Sequence, residues 1–443
     1  MVDKKDASGI DEMADFRSLL AKGHGRAWFA LAEKGELVCR STLVEACLQC
    51  QIYDIQCETS RTPYLFELIQ DSGNADFYRA QILASLPEVF EEEDRQGWRS
   101  RYQRLELTRL FAAQGDIKAR AALYDDFESR IPNNDFSTGG EIVALDGIEG
   151  MRYVLAHLTN AEQTEEFADL DRLIYELEER EGETAAWEAL EQEALFFPVL
   201  APLAAERRGR DEGWKRAQEA RNAIPRESYA VLRDRILRSE RSVAGLMSWG
   251  YKATDEELLL AAQDVLAESD PARLRHYLML FHDRVFPLDF HPLFAWMRSE
   301  NDRLAAAARN ALLNITHPDI RAFALELAQE SGMRSEAVHL LVNNPAPGDY
   351  ALLEEWLELP ASDNQLHWMG MGIKEYVKAH PAPEAARALT LLYDLEPCSL
   401  CRDGVVDLLA KMHALSEEMR QECLHDCYEE IRKIAIEYGS EQN

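Results

Sequence analysis

Apolar residues recur at three- and four-residue spacing along most of this chain of 443 residues. The spacing is clearest over residues 141–158, 167–177, 256–266 and 304–313. Such a period places the apolar side chains on one face of a helix, whereas a half-buried strand alternates at every second residue. Short runs of turn residues, such as Gln114-Gly115, separate the segments. The pattern predicts an all-α protein.

A short phrase recurs within the apolar pattern: an acidic residue, a branched aliphatic residue, a basic residue and then alanine. It occurs at residues 116–123, 319–325 and 430–435. We expect the acid in the first turn of a helix, where the helix dipole favours negative charge. The aliphatic and alanine positions are expected to face a neighbouring helix. The phrase therefore predicts helix pairs that stack on one another, with Ile117, Ile320 and Ile431 at the contacts.

The phrase and the short turns resemble the HEAT-type repeats of α-solenoids. This resemblance implies a stack of antiparallel helix pairs in which each repeat packs on its neighbours. The middle third, residues 160–300, fits the pattern least well and is expected to be irregular. Residues 131–140 lack helix formers and suggest a boundary. We predict an N-terminal helical repeat segment over residues 1–131 and a HEAT-like solenoid over residues 141–443, either separate from the first segment or continuous with it.

Charge disfavours several classes of partner. The formal net charge is −32, which repels phosphate backbones and anionic membrane surfaces. The longest apolar run, residues 194–205, is interrupted by Pro198 and Pro202 and is too short to span a bilayer. The N-terminus has no apolar region typical of a secretion signal. We expect a cytoplasmic protein that binds no membrane and little nucleic acid.

The charge is also unevenly distributed. Residues 161–200 carry thirteen acids and two bases, whereas residues 206–241 carry eleven bases and seven acids. Solvated outer helix faces explain both segments. The alternative is a pair of interaction surfaces, one for a basic partner and one for an acidic partner.

The eight cysteines form two groups, one at residues 39–57 and one at residues 398–427. Most of them fall at helical spacing with other apolar residues, which favours buried core positions over metal ligands. We therefore predict no metal and no cofactor. If the second group did bind zinc, the four thiolates would be Cys398, Cys401, Cys423 and Cys427.

Two polar segments near the N-terminus form the candidate binding site. Residues 23–26 (Gly-His-Gly-Arg) open a predicted helix, and glycines before a helix start can leave backbone N–H groups for an anion. Residues 54–61 place four polar side chains before another apolar helix. The predicted binding residues are His24, Arg26, Asp54, Gln56, Glu58 and Arg61. The alternative is an internal ion pair between Arg61 and a carboxylate at a capped helix start.

No nucleophile, phosphate-binding or paired-carboxylate motif identifies an enzyme, so no catalytic residue is predicted. The leading hypothesis is a scaffold whose solenoid surface binds another protein. A second hypothesis is a nucleic-acid enzyme similar to the HEAT-like DNA glycosylases, using the basic stretch 207–241. A third is an acidic mimic of nucleic acid, using residues 162–193.

Overall fold

Helices make up all the regular secondary structure in the part of the chain that this computed structural model describes. That part comprises residues 15–91, 93–133, 135–158, 170–203, 226–238, 243–330 and 332–441. No strand occurs in these ranges, which confirms the all-α prediction.

In the N-terminal half the helices are α1 (15–22), α2 (Arg26–Lys34), α3 (Glu36–Leu48), α4 (Thr62–Asp71), α5 (Ala75–Ser85), α6 (Arg95–Ala113), α7 (Ile117–Arg130), α8 (Gly139–Leu158), α9 (Leu170–Glu181) and α10 (Glu183–Glu193). They are followed by α11 (Tyr229–Arg238), α12 (Leu246–Lys252), α13 (Asp255–Ala267), α14 (Pro271–Leu278), α15 (His291–Met297), α16 (Asp302–Leu313), α17 (Pro318–Leu327), α18 (Arg334–Val342), α19 (Asp349–Glu358), α20 (Asp363–Ala379), α21 (Ala385–Leu395), α22 (Ser399–Lys411), α23 (Glu417–Cys423) and α24 (Glu429–Glu441). Single 3-10 turns occur at Ile131–Asn133, Pro198–Leu200 and Met279–Phe281.

The chain divides into two compact units. Unit 1 comprises Met1–Arg221, Cys398–Leu400 and Ser416–Asn443, and unit 2 comprises Asn222–Pro397 and Cys401–Leu415. The central helix of unit 1 is α6, which contacts α3, α4, α5, α7 and α8. It buries Leu105 and Phe111 among these helices, together with the guanidinium groups of Arg101 and Arg104. Unit 1 is therefore organised around a helix with both apolar and charged buried side chains.

The segment of residues 131–140 lies inside unit 1. The buried Arg101 on α6 donates to Oδ2 of Asp126 at 2.6 Å and to the hydroxyl of Thr138 at 3.0 Å. Asp126 also accepts from Nε of Arg130 at 3.1 Å. Because a buried charge is costly unless it is paired, this network holds the segment against α6 and α7. The division into residues 1–131 and 141–443 stays a prediction.

In unit 2, helices contact their next-but-one neighbours in series. α14 contacts α16, α16 contacts α18, and α18 contacts α20, while α19 contacts α21. Ala308 and Ala311 of α16 and Ala337 of α18 are fully buried. Within the predicted irregular region, residues 160–169, 204–225 and 239–242 lie outside the described residues.

The recurring phrase predicts burial correctly in two of its three copies. Ile320 and Ile431 are fully buried, but Ile117 is 83% exposed, so the prediction for Ile117 is wrong. The reason is the position of Ile117 relative to the start of its helix. Asp116 caps α7 by accepting from the N–H groups of Lys118 and Ala119, which makes Ile117 the first helical residue.

The third residue of the helix faces the interior in all three copies. This residue is Ala119 in α7, Ile320 in α17 and Ile431 in α24, and each is fully buried. α17 begins at Pro318 rather than at the acid of the phrase. The position relative to the helix start, rather than the position in the phrase, therefore decides burial.

No helix in the described ranges combines the length and apolar character needed to cross a bilayer.

Ile320→Asp should destabilise the protein by roughly 3–5 kcal/mol, because it places an unpaired carboxylate in a buried position. Ile431→Asp should do the same. Ile117→Asp is the matched control, and its effect should stay within about 0.5 kcal/mol because its side chain is exposed. Urea denaturation followed by circular dichroism measures all three. Equal losses for Ile320→Asp and Ile117→Asp would contradict the assignment of helix phase.

Candidate functional site

Arg26 contacts the C-terminal segment of unit 1, and His24 lies buried beside it. Arg26, at the start of α2, donates from Nε and a terminal nitrogen to the two carboxylate oxygens of Glu422, at 2.8 and 3.0 Å. His24 is fully buried, and its Nδ1 accepts from the backbone N–H of Arg26 at 3.1 Å. Tyr64 donates to the carbonyl of His24 at 3.0 Å. These polar atoms serve contacts within unit 1.

The glycines at residues 23 and 25 allow the C-terminal segment to approach α2 closely. The carbonyl of Gly23, a residue with φ of +64°, accepts from the backbone N–H of Cys427 at 2.9 Å. A Cβ atom added to Gly25 would overlap the carbonyl oxygen of Glu422. The backbone of residues 422–427 therefore lies directly against these glycines.

Glu58 and Arg61 form a buried ion pair. A terminal nitrogen of Arg61 donates to Oε1 of Glu58 at 2.7 Å, and Arg61 is only 2% exposed. The same oxygen accepts from the backbone N–H and the hydroxyl of Ser399, at 3.0 and 3.2 Å. The internal Arg61–carboxylate pair that the sequence offered as the alternative is therefore present.

Asp54 and Gln56 lie on the loop before α4. The backbone N–H of Gln56 donates to Oδ1 of Asp54 at 2.9 Å, and Gln56 is exposed. A groove of about 500 Å³ in unit 1 is lined by Thr59, Ser60, Pro63, Cys427, Tyr428, Glu429, Glu430 and Arg432. None of the six predicted residues lines this groove. Ligand binding by them stays a prediction.

The cysteines are all free thiols, and most are buried. Burial raises the pKa of the Cys39 and Cys47 thiols, as expected of core cysteines that stay protonated. Among the four cysteines of the alternative zinc site, Cys398, Cys423 and Cys427 belong to unit 1 and Cys401 belongs to unit 2. Within unit 2, the sulfur of Cys401 lies within 4.8 Å of a ring nitrogen of His367. The four-cysteine zinc site stays the alternative to buried core thiols.

The basic stretch 207–241 is only partly described. Its described arginines pair with acids: Arg226 with Glu257, Arg233 with Asp264, Arg235 with Glu227 and Arg238 with Asp234. Residues 207–225 and 239–241 lie outside the described residues, as do residues 162–169 of the acidic segment.

A polar groove of about 500 Å³ in unit 1 was not predicted. It is lined by Ser60, Glu106, Arg109, Glu141, Ala144, Arg172, Tyr175, Glu176, Glu179 and Arg180. We call it the Glu141 groove. Its side chains come chiefly from α6, α8 and α9, so it forms where three helices of unit 1 meet.

Two guanidinium groups hold the carboxylate of Glu141. Nε of Arg109 donates to Oε2 at 2.9 Å, and a terminal nitrogen of Arg172 donates to Oε1 at 2.9 Å. Glu141 lies in the first turn of α8 and is only 4% exposed. The guanidinium of Arg172 also lies over the ring of Tyr102, 4.4 Å from its centroid. Glu141 is therefore fixed in place from both sides.

Burial raises the pKa of Glu141 to about 7, although the guanidinium groups of Arg109 and Arg172 oppose the increase. Glu106 on α6 and Glu176 on α9 face it and add to the increase. Two other charged pairs lie farther along α8. Arg120 of α7 pairs with Asp146 of α8, and Glu193 of α10 pairs with Arg152 of α8. Glu141 thus changes its charge near neutral pH.

A kink in α8 shapes one end of the Glu141 groove. The backbone leaves helical geometry at Gly147, where φ is +62°. The carbonyl of Ala144, three residues earlier, accepts from a terminal nitrogen of Arg180 at 2.9 Å. A Cβ atom at residue 147 would collide with the carboxylate of Glu181. Glycine is required here by the positive φ and by the close approach of α9.

Unit 2 has a groove of about 440 Å³ whose walls come from α15, α16 and α18, the turn after α15 and the turn between α17 and α18. It is lined by Met297, Arg298, Ser299, Asp302, Ala305, Ala306, Arg309, Glu330, Met333 and Glu336. We call it the Met333 groove. Arg298 pairs with Glu330 at 2.8 Å, and Arg309 pairs with Glu336 at 2.7 Å. The Met333 groove is therefore lined by both apolar side chains and Arg–Glu pairs.

Sequence reasoning missed the residues of both grooves. The one signal in the sequence was the excess of acids over residues 161–200, which include Tyr175, Glu176 and Glu179 of the Glu141 groove. The pairing of Glu141 with Arg109 and Arg172 joins residues about thirty positions apart, for which the sequence contains no pattern. Comparison of the chain with protein-family models, curated proteins and solved structures found no match.

Glu58→Gln should destabilise the protein by roughly 3–5 kcal/mol, because it leaves the buried guanidinium of Arg61 without a carboxylate. Glu67→Gln is the control, since Glu67 forms an exposed pair with Arg432 on the same unit and should cost about 1 kcal/mol or less. Thermal and urea denaturation measure both. A loss for Glu58→Gln no larger than the control would show that the pair does not stabilise unit 1.

Glu141 should make stability depend on pH. Its pKa in the folded protein is about 7, above the ordinary value of 4.5, so its protonation stabilises the fold at low pH. That contribution is lost as pH rises through 7. Between pH 5 and 8 the unfolding free energy of the wild type should fall relative to Glu141→Gln by on the order of 2–3 kcal/mol. Glu149→Gln is an exposed substitution on the same helix. Its unfolding free energy should differ from that of the wild type by the same amount at every pH. If the difference in unfolding free energy between the wild type and Glu141→Gln were also independent of pH, the raised pKa of Glu141 would be refuted.

Proposed function

We propose that the protein is a protein-binding scaffold, built as a HEAT-like stack of antiparallel helix pairs whose surface engages another protein. The observation that carries this proposal is the Met333 groove. Its walls come from α15, α16 and α18, from the turn after α15 and from the turn between α17 and α18, so it runs across several helices that are near one another in the chain. Repeat proteins bind their partners along extended surfaces of this kind.

The packing of unit 2 supports the same proposal. The series of contacts from α14 through α16 and α18 to α20 is what stacked helix pairs produce, because every second helix occupies the same layer. Buried alanines at residues 308, 311 and 337 permit helices to lie close together. The groove has methionine and alanine side chains between Arg–Glu pairs, a combination suited to a peptide segment with both apolar and charged residues.

Site-specific photo-crosslinking in the native cells tests the proposal. A photoreactive amino acid replaces Ser299 or Ala306 in the Met333 groove, or the exposed Leu260 or Val285 elsewhere on unit 2. We expect the groove positions to give one discrete adduct with the same protein and the control positions to give none. The captured protein is then identified, purified and titrated against the scaffold by calorimetry.

In that titration Ala306→Arg should weaken binding about tenfold or more, because a bulky charge fills the groove. Leu260→Arg carries the same charge change on an exposed site and should alter affinity less than about twofold. Adducts at none of the groove positions, or equal adducts at groove and control positions, would refute the scaffold.

A further inference from the structure

The cations of the Glu141 groove are already engaged by groups of unit 1. Arg109 and Arg172 each donate to Glu141, and Arg109 also lies 3.6 Å from a carboxylate oxygen of Glu106. Arg180 donates to the carbonyl of Ala144 and pairs with Glu181, which lies outside the groove lining. An anionic ligand would have to displace Glu141, whose burial between α6 and α9 holds it in place. The groove is therefore unsuited to phosphate or carboxylate ligands.

Carboxylates outnumber guanidinium groups in the groove. Four glutamates and three arginines line it, which gives one negative charge in excess when all are ionised. Glu179 raises the pKa of the neighbouring Tyr175 more than any other group does, which is the effect of a negative potential at that ring. Glu179 therefore places negative charge beside the ring of Tyr175.

Tyr175 supplies a second feature that suits a cation. It is 56% exposed although its ring is large and aromatic. A tyrosine face attracts an ammonium or guanidinium group, and neighbouring carboxylates add to the attraction. Glu176 lies one residue along α9 and Glu179 one helical turn along, so all three line the same groove.

We propose that the Glu141 groove binds an arginine- or lysine-rich segment of the partner protein, with a cationic side chain against Tyr175, Glu176 and Glu179. This inference rests on the proposed scaffold function and adds the chemistry of the partner. A guanidinium bound in the groove favours the ionised form of Glu141. Binding therefore releases a proton from Glu141, and affinity rises as pH increases through about 7.

Fluorescence anisotropy on the full-length protein at about 150 mM salt, where weak surface attraction is screened, tests the inference. The probes are a labelled octa-arginine peptide and a labelled octa-aspartate peptide. We expect the arginine peptide to bind and the aspartate peptide not to bind. Tyr175→Ala and Glu179→Gln should each weaken arginine-peptide binding about tenfold.

Matched controls separate groove binding from attraction to the net negative charge. Glu188→Gln makes the same charge change at an exposed site on α10, and Tyr251→Ala removes an exposed tyrosine from unit 2. Both should change affinity less than about twofold. From pH 6 to 8 the affinity should increase for the wild type and stay flat for Glu141→Gln. Equal weakening by groove and control variants, or binding of the aspartate peptide, would overturn the inference.

The two proposals fail in different ways. A crosslinked partner whose affinity is unchanged by Tyr175→Ala and Glu179→Gln would overturn the basic-segment inference and leave the scaffold in place. Groove-specific binding of the arginine peptide without any crosslinked partner would support the basic-segment site and overturn the scaffold at the Met333 groove.

Discussion

The close approach of residues 422–427 to the start of α2 is the constraint on which unit 1 depends. Glycines at residues 23 and 25 make room for that backbone, and the Arg26–Glu422 ion pair lies beside it. Glu58 holds both Arg61 and the backbone of Ser399. Segments nearly four hundred residues apart are therefore joined by hydrogen bonds and ion pairs as well as by apolar packing.

Charge serves two purposes in unit 1. Deep in the unit, Arg101 and Asp126 compensate each other and fix the segment before α8. At the Glu141 groove the compensation is incomplete, since Glu179 lies among arginines that are already engaged elsewhere. Internal pairing thus stabilises buried charges, whereas the one carboxylate in excess in the groove is the basis of the proposed binding of a basic segment.

The sequence predicts the helical class because hydrophobic period reports directly on local geometry. It also predicts the burial of Ile320 and Ile431, but not the exposure of Ile117, because the phrase does not reveal which residue caps the helix. The pairing of Glu141 with Arg109 and Arg172 depends on how three helices pack. No local pattern in the sequence reports that relation, and the same limit applies to Gly25, whose neighbour is the carbonyl of Glu422.

The discontinuous composition of unit 1 has a consequence during synthesis. The ribosome releases residues 1–221 well before residues 416–443, with all of unit 2 in between. Until the later segment emerges, Arg26 lacks Glu422, and the backbone that packs against Gly23 and Gly25 has not yet been made. The nascent unit therefore exposes an unfinished surface for the time needed to translate unit 2, and this is the interval in which a chaperone would be needed or a premature contact would form.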